Sequence, residues 1–178
     1  MLSFFHKHQN QKKLLISLLS FFSFSPFSSF ATSIHTQQAV QASVVNSCVI
    51  KSTNALNFSS AYDPTQSTST QINEQILLSC TRNASGWVGV SQGSNPESGS
   101  TCTTPLRQLV DTSGNFLKYN LSYDASSVDW GCVQSSGRAF TSTSVASGIN
   151  ITAVGTIPSQ QDVPAGNYTD NLTITVNF

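Results

Sequence analysis

The C-terminal stretch, residues 166–178, alternates between apolar and polar side chains up to the last residue. Leu172, Ile174, Val176 and Phe178 share one face, and Asn and Thr side chains occupy the other. This period of two predicts a strand with one buried and one solvated face. An edge strand with unpaired backbone groups invites association. Since no residue follows Phe178, we expect the edge to be either hidden or used for assembly.

Short apolar stretches recur upstream of that strand and are separated by turn residues. Four of them begin near Ile72, Trp87, Leu106 and Ile149, and none has sustained helical spacing. The stretch from Leu106 is followed by a turn at Gly114 and a further alternating run, which predicts a hairpin with a positive φ at the glycine. The pattern predicts an all-β fold, a sandwich of the immunoglobulin-like type.

The first 31 residues have the pattern of a secretory signal peptide. Lys7, Lys12 and Lys13 precede an apolar run over residues 14–24, and a small-x-small site ends at Ala31. A membrane anchor is the alternative, but the apolar run is about half of the roughly 20 residues needed to span a bilayer. We therefore expect residues 1–31 to be removed and the mature chain to be exported, with no membrane-embedded segment.

The charge of the expected mature chain argues against a nucleic-acid partner. Residues 32–178 carry five Lys and Arg against eight Asp and Glu, a net charge of about −3, whereas nucleic-acid binding needs a concentrated basic face. Disorder is also a poor fit, because disordered chains are usually rich in charge and poor in β-branched residues.

Four cysteines remain in the mature chain, and their spacing contains no C-x-x-C pair. With His35 as the only histidine after residue 31, a zinc site is a poor fit. An even number of cysteines in an exported protein predicts disulfides. Three pairings are possible; we favour Cys48–Cys80 and Cys102–Cys132, each contributing roughly 3–4 kcal/mol on the chain-entropy model.

The segment before Cys48 alternates less regularly. Its even positions include Ile34, Val40, Ala42 and Val44, but Thr36 and Gln38 interrupt the apolar face. Two interpretations remain open: the first strand of the domain itself, or a free strand that completes a sheet elsewhere.

No catalytic arrangement emerges from the sequence. A Ser-His-Asp triad would need His35, which lies in the extension. Asp124 and Asp129 fit solvated loop acids better than paired glycosidase carboxylates. Trp87 and Trp130 could stack on a sugar, although core packing is the better interpretation. We expect no enzymatic activity, no metal and no cofactor.

Several short motifs follow one another over nearly the whole mature chain. They are, in order, Cys48-Val49-Ile50, Leu56-Asn57-Phe58, Tyr62-Asp63-Pro64, Cys80-Thr81, Arg107, Tyr119, Tyr123, Trp130-Gly131 and the run Gly166-x-Tyr168-x-Asp170-x-Leu172. In these motifs, the chain resembles the spore coat protein U domain, the subunit family of archaic chaperone–usher pili of the Csu type. Two departures are Ser59, where the family usually has Gly, and the pair Cys102/Cys132, which is not general to it.

The resemblance implies an incomplete immunoglobulin-like β-sandwich that lacks its last strand. A periplasmic chaperone would cover the resulting groove, and at an outer-membrane usher the N-terminal extension of the next subunit would replace the chaperone. The domains would then be a signal peptide (1–31), a donor-strand extension (32–46) and the sandwich (47–178). Its site residues would be the donors Ile34, Val40, Ala42 and Val44 and the groove-lining Leu172, Ile174, Val176 and Phe178.

These implications predict a structural subunit of a surface pilus that serves adhesion or biofilm formation. It would pass through the periplasm, reach the cell surface and contact further pilus subunits head to tail, which builds a filament. A spore-coat or other secreted coat protein is the alternative within the same class. A monomeric carbohydrate-binding module is the alternative from another class.

Overall fold

The computed structural model describes residues 32–58 and 62–178, and the predicted signal peptide lies outside the described residues. Two compact units divide the chain after Gln41. The described part of the first unit, residues 32–41, has no regular secondary structure, and its side chains are exposed. All of the described strands belong to the second unit.

Eight strands form two antiparallel sheets in the described part of the second unit. The larger sheet has the order β1-β2-β7-β5-β4 and the smaller one β6-β3-β8, so five strands face three. The all-β prediction is therefore confirmed; a short 3-10 turn (Gln134–Ser136) is the one helical element in this part of the chain. The strands are β1 (Cys48–Thr53), β2 (Thr70–Cys80), β3 (Ser85–Val90), β4 (Arg107–Val110), β5 (Phe116–Tyr123), β6 (Arg138–Thr141), β7 (Ile149–Ile157) and β8 (Ile174–Asn177).

The core lies between the two sheets and follows the alternation of the sequence. In β5, the side chains of Leu117, Tyr119 and Leu121 are buried while the residues between them are exposed. The buried residues of β2 and β7 extend this apolar layer, and Val88 and Val90 of β3 close it from the smaller sheet. Because inward-facing side chains recur every second residue, β5 buries one face only, whereas consecutive residues are buried at the end of β2, in β3 and in β7.

The hairpin predicted around Gly114 is present. β4 and β5 pair antiparallel from Arg107–Tyr119 to Val110–Phe116, and Gly114 has a φ of 84°. Asp111 stabilises the turn by accepting hydrogen bonds from the backbone N–H groups of Ser113 and Asn115.

The last strand is shorter than its alternation predicts. β8 pairs with β3 only over Ile174–Asn177, whereas Thr169 forms an isolated bridge with Val110 on the larger sheet. Between these points side chains hold much of the backbone: the N–H of Asn171 donates to the Asp170 carboxylate and that of Thr173 to the Ser91 hydroxyl, while the Ser91 N–H donates to the Thr173 carbonyl. The segment thus passes from the edge of one sheet to the edge of the other.

The outer edge strand β1 contains an irregularity. Its pairing with β2 shifts between Ile50 and Ser52, so Lys51 has no partner across the ladder and forms a bulge. The side chain of Lys51 is exposed.

Two disulfides link the four cysteines in the pairing favoured from the sequence. Cys48–Cys80 joins the edge strand β1 to β2, and Cys102–Cys132 joins two loops near the buried Trp130. The described residues include no cluster of three or more His, Cys, Asp or Glu side chains that could hold a metal ion.

Intact-mass measurement tests the oxidation state directly. We expect the purified mature chain to lack four hydrogens relative to its reduced form, because two disulfides are present. Peptide mapping without reduction should recover the same two pairs. A mass equal to that of the reduced chain, or a Cys48–Cys102 peptide, would contradict this pairing.

Within the described residues, no helix is long and apolar enough to cross a membrane.

Candidate strand-binding groove

The inner face of the larger sheet is only partly covered by the smaller sheet, and a cleft lies over the uncovered part. The cleft holds a cavity of about 260 Å³. Its floor comes from four strands of the larger sheet. The floor side chains are Glu74 and Ile76 of β2, Ala153 of β7, Tyr119 and Leu121 of β5, and Leu109 of β4.

A second cavity of about 580 Å³ continues from the first at Leu109. Leu117 of β5 and Ile157 of β7 lie on its floor, and Val163 and Tyr168 flank it. The two cavities share Leu56, Phe58 and Leu109 as lining residues. Together they form one elongated, mainly apolar groove that runs along the strands of the larger sheet.

The end of the chain supplies one wall of this groove. Leu172 and Ile174 line the first cavity. Val176, also in β8, packs against the core. Phe178 is 56% exposed and lines neither cavity. β8 pairs with β3 on one side only, so among the described residues its other side has no neighbouring strand.

The opposite wall follows β1. Residues 53–56 and Phe58 line the first cavity, and Leu56 and Phe58 are the half-buried members of that stretch. Sequence reasoning missed this wall, because its apolar residues are too few and too irregular to predict a strand. The Leu56-Asn57-Phe58 motif was its only signal.

Arg107 of β4 lies buried beside Tyr119 and ties the two sheets together. Its guanidinium donates to the backbone carbonyl oxygens of Val90 and Ser91, at 3.1 and 2.7 Å, and to that of Trp130. Burial lowers the pKa of Arg107, while the nearby Tyr119, Asp129 and Asp170 act in the opposite direction. A guanidinium is protonated at neutral pH even so, so these carbonyls solvate a buried positive charge.

Asp170 fixes the chain where it passes between the sheets. Its carboxylate accepts hydrogen bonds from the Tyr119 hydroxyl (2.7 Å), the Ser94 N–H (2.8 Å) and the N–H of Asn171. A Cβ atom on Gly93, whose φ is 88°, would lie 2.1 Å from the carboxylate, so this position requires glycine. The sequence predicted only a local role for Asp170; the structure extends it to two segments that are distant along the chain, at Ser94 and at Tyr119.

The Tyr119–Asp170 contact makes the free energy of unfolding decrease at alkaline pH. Burial, followed by the hydrogen bond to Asp170, raises the pKa of Tyr119 above its ordinary value. A raised pKa contributes stability that is complete below the unfolded value of about 10 and is lost as pH rises above it. We expect the free energy of unfolding to fall above about pH 10, by up to roughly 1.4 kcal/mol per pH unit from this group.

The measurement is urea unfolding between pH 8 and 11 for the wild-type and Tyr119→Phe proteins. The variant should have a flatter pH profile, although it is less stable at pH 8 because Asp170 loses a donor. Tyr123→Phe is the matched control, since the Tyr123 hydroxyl has no hydrogen bond to a carboxylate in the structure. Parallel profiles for wild type and Tyr119→Phe would contradict the assignment.

The predicted donor residues lie in a segment without strand structure. Residues 32–47 form no strand, and Ile34, Val40 and Val44 are 95%, 89% and 83% exposed; Ala42 is exposed as well. Hydrogen bonds to the end of β2 begin at Val45, whose carbonyl accepts from the Thr81 hydroxyl at 3.2 Å. The first strand of the sandwich is β1, which starts at Cys48.

The other candidate residues are separated from one another. Trp130 is fully buried, packs edge-on against Tyr123 at 5.4 Å between ring centroids and donates to the Val88 carbonyl; it therefore has no face free for a sugar. Asp124 accepts from Arg138 at 2.7 Å and from the Thr152 N–H. His35 contacts only the nearby Ser33 hydroxyl among the described hydrogen bonds.

Comparison with known proteins agrees with this architecture. The family model of the Spore Coat Protein U domain matches residues 34–175. Protein U of Myxococcus xanthus is 30% identical over 105 residues, which cover 58% of this chain and 58% of that protein, less than two thirds of its length.

Among solved structures, the following one is similar in fold. It is a chain of the CsuC–CsuE chaperone–tip adhesion subunit pre-assembly complex from the archaic chaperone–usher Csu pili of Acinetobacter baumannii. The TM-score is 0.52 at 22% identity, over 76% of this chain and 40% of that one.

Proposed function

Because the chain belongs to the Spore Coat Protein U domain family, we propose that it is a structural, non-enzymatic subunit of a surface pilus. The subunit is assembled by donor-strand exchange: a periplasmic chaperone covers its groove, and at an outer-membrane usher the extension of the next subunit takes the chaperone's place. The fold likeness to a chain from a chaperone–subunit complex supports a chaperone partner. The protein then reaches the cell surface, where the filament serves adhesion or biofilm formation.

The groove is the observation that carries this proposal. Its apolar floor lies beside β8, a strand with one unpaired side, in a smaller sheet that is two strands short of the larger one. An added strand there would bond to the free backbone groups of β8 and bury the floor. This is β-augmentation, in which backbone bonds give affinity and alternate side chains give specificity.

The exposed extension is the proposed source of that strand. Its apolar even-numbered residues are exposed, and a contact from one copy to the groove of the next is head-to-tail. Such contacts propagate into a filament. The proposed groove-side residues are Leu172, Ile174 and Val176. Phe178 is exposed, and its proposed role is limited to a contact with the incoming strand at the end of the chain.

Deletion of residues 32–44 tests the proposal. We expect the truncated protein to keep a cooperative unfolding transition, because the deleted residues form no strand, and to accept a donor strand but not to extend a chain. Size-exclusion chromatography with light scattering would follow assembly of the full-length protein and of the truncated protein. A truncated protein that no longer folds would mean that the segment is the domain's own first strand.

Two double substitutions test whether the side chains of the extension matter for assembly, and not only its presence. Val40→Ser with Val44→Ser removes the proposed inward-facing donors, and Gln41→Ser with Ser43→Ala changes their outward-facing neighbours. The first pair should abolish assembly and the second should leave it intact. Equal assembly by both variants would contradict the donor face.

A coat protein assembled through the same donor-strand contact is the second candidate, favoured by the match to the Spore Coat Protein U domain family. Immunogold labelling distinguishes the two, with filaments for a pilus and an even layer for a coat. A monomeric carbohydrate-binding module would instead purify as a stable monomer; the burial of Trp130 weighs against it.

A further inference from the structure

Glu74 is a carboxylate placed in the apolar row of the groove floor. It lies in β2 between Ile72 and Ile76, at a position where the alternation points inward, and it is half-buried. It lines the first cavity. Among the described residues, no hydrogen-bond donor or cation contacts it. An occupant that covers the groove must therefore provide a polar partner or leave a carboxylate buried without one, which is costly.

The strand pairing arranges the residues of the larger sheet in rows, each made of residues that lie side by side on neighbouring strands, and it fixes the order of these rows along the strands. Glu74 pairs with Ala153, and the next row is Ile72–Gly155–Leu121, of which Leu121 lines the first cavity. Tyr119 and then Leu117 follow on β5, beside Arg107 and Leu109 of β4. Successive rows lie about 6.6–6.8 Å apart, the same repeat as the inward-facing residues of any strand laid along them.

The groove is asymmetric about Glu74. Towards Leu117 it continues through the whole of the second cavity, whereas in the other direction the floor ends one row away, at Ile76. A donor strand with three consecutive apolar inward residues fits only on the Leu117 side of Glu74.

The extension has that pattern, with a polar residue next to the apolar triplet. Its inward face reads Thr36, Gln38, Val40, Ala42 and Val44. Resting on the proposed donor-strand function, we infer that the extension of a second copy enters with Gln38 opposite Glu74, so that the Gln38 amide donates to the Glu74 carboxylate. Val40, Ala42 and Val44 then cover the rows of Leu121, Tyr119 and Leu117.

Two details favour this register over its neighbours. The smallest donor, Ala42, faces the bulkiest floor residue, Tyr119, which preserves the packing volume. A shift by two residues would place Val40 over Glu74 and bury the carboxylate under hydrocarbon, or would place Thr36 there and move Gln38 over the apolar Leu121 row. The polar interruption of the donor face is thus the feature that fixes the register.

A peptide-binding experiment on the full-length protein tests this pairing. The probe is a synthetic, fluorescent peptide of residues 32–46, and the readout is fluorescence anisotropy. On the wild-type protein, the Gln38→Val peptide should bind about five- to thirtyfold more weakly than the wild-type peptide. On a Glu74→Val protein the order should reverse. Comparing peptides on one protein cancels competition from its own extension.

The Thr36→Val peptide is the control, because its affinity relative to the wild-type peptide should not depend on residue 74. Should Glu74→Val fail to fold, Glu74→Gln is the second variant: a Gln38→Glu peptide should bind poorly to wild type, where two carboxylates meet, and well to Glu74→Gln.

Three outcomes would overturn the inference. A Gln38 effect that is independent of residue 74, or a Thr36 effect that depends on it, would show that the register is wrong while leaving donor-strand exchange intact. Failure of the wild-type peptide to bind at all would remove the proposed function, and the pairing with it.

Discussion

Substitution of Arg107 by Met should lower the free energy of unfolding by about 3–5 kcal/mol. Met fills a similar volume but donates no hydrogen bond, so the carbonyl oxygens of Val90, Ser91 and Trp130 lose their shared donor in a buried site. The relief of burying one charge offsets only part of that loss. The midpoint of thermal unfolding should fall by about 10–20 °C.

Arg138→Met is the matched control for this prediction. Arg138 pairs with Asp124 at 2.7 Å, but both side chains are partly exposed, and such pairs contribute about 1 kcal/mol or less. Urea and thermal unfolding of the oxidised proteins provide the measurement. Similar losses for both variants would contradict the role of Arg107 as the tie between the sheets.

Substitution of Ala153 by Leu should weaken assembly strongly while preserving the fold. Ala153 lies on the groove floor opposite Glu74, and the cavity of about 260 Å³ above it can receive three additional carbon atoms. An incoming strand would meet that side chain, and overpacking of this kind costs about 1–3 kcal/mol, or roughly 5- to 150-fold in affinity. Light scattering and binding of the residue 32–46 peptide would report the loss.

Thr156→Leu adds a similar side chain to the same strand, but on its outward face, where Thr156 is half-buried and lines neither groove cavity. This variant should assemble like wild type. If a folded Ala153→Leu protein assembled like wild type, the groove floor would not be the docking surface.

The alternating strands could be predicted from the sequence because their environment is uniform. Leu117, Tyr119 and Leu121 alternate with polar residues, and β5 has one buried and one solvated face throughout. The alternation before β8 is equally regular, yet residues 170–173 form no ladder. There the Asp170 and Ser91 side chains take the place of a neighbouring strand, a contact that periodicity does not encode.

The groove could be predicted only in part for a related reason. Leu172 and Ile174 follow from the final alternation, but the opposite wall at Leu56 and Phe58 comes from an irregular segment more than a hundred residues away. Glu74 carried a signal, since it interrupts the apolar row of Ile72 and Ile76. For Arg107, the only signal in the sequence was its position among the family motifs. Nothing in the neighbouring residues indicates that three carbonyl groups from other segments surround its charge.

The bulge at Lys51 limits how this molecule can associate with itself. The larger sheet ends at β1, and a flat, regular strand there would present a template for lateral pairing. The unpaired residue twists the edge, and its ammonium group would have to be desolvated by any sheet that approached from the side. Lateral pairing of two sheets is therefore disfavoured at this border, which on the proposed function leaves the free side of β8 for the joining of copies.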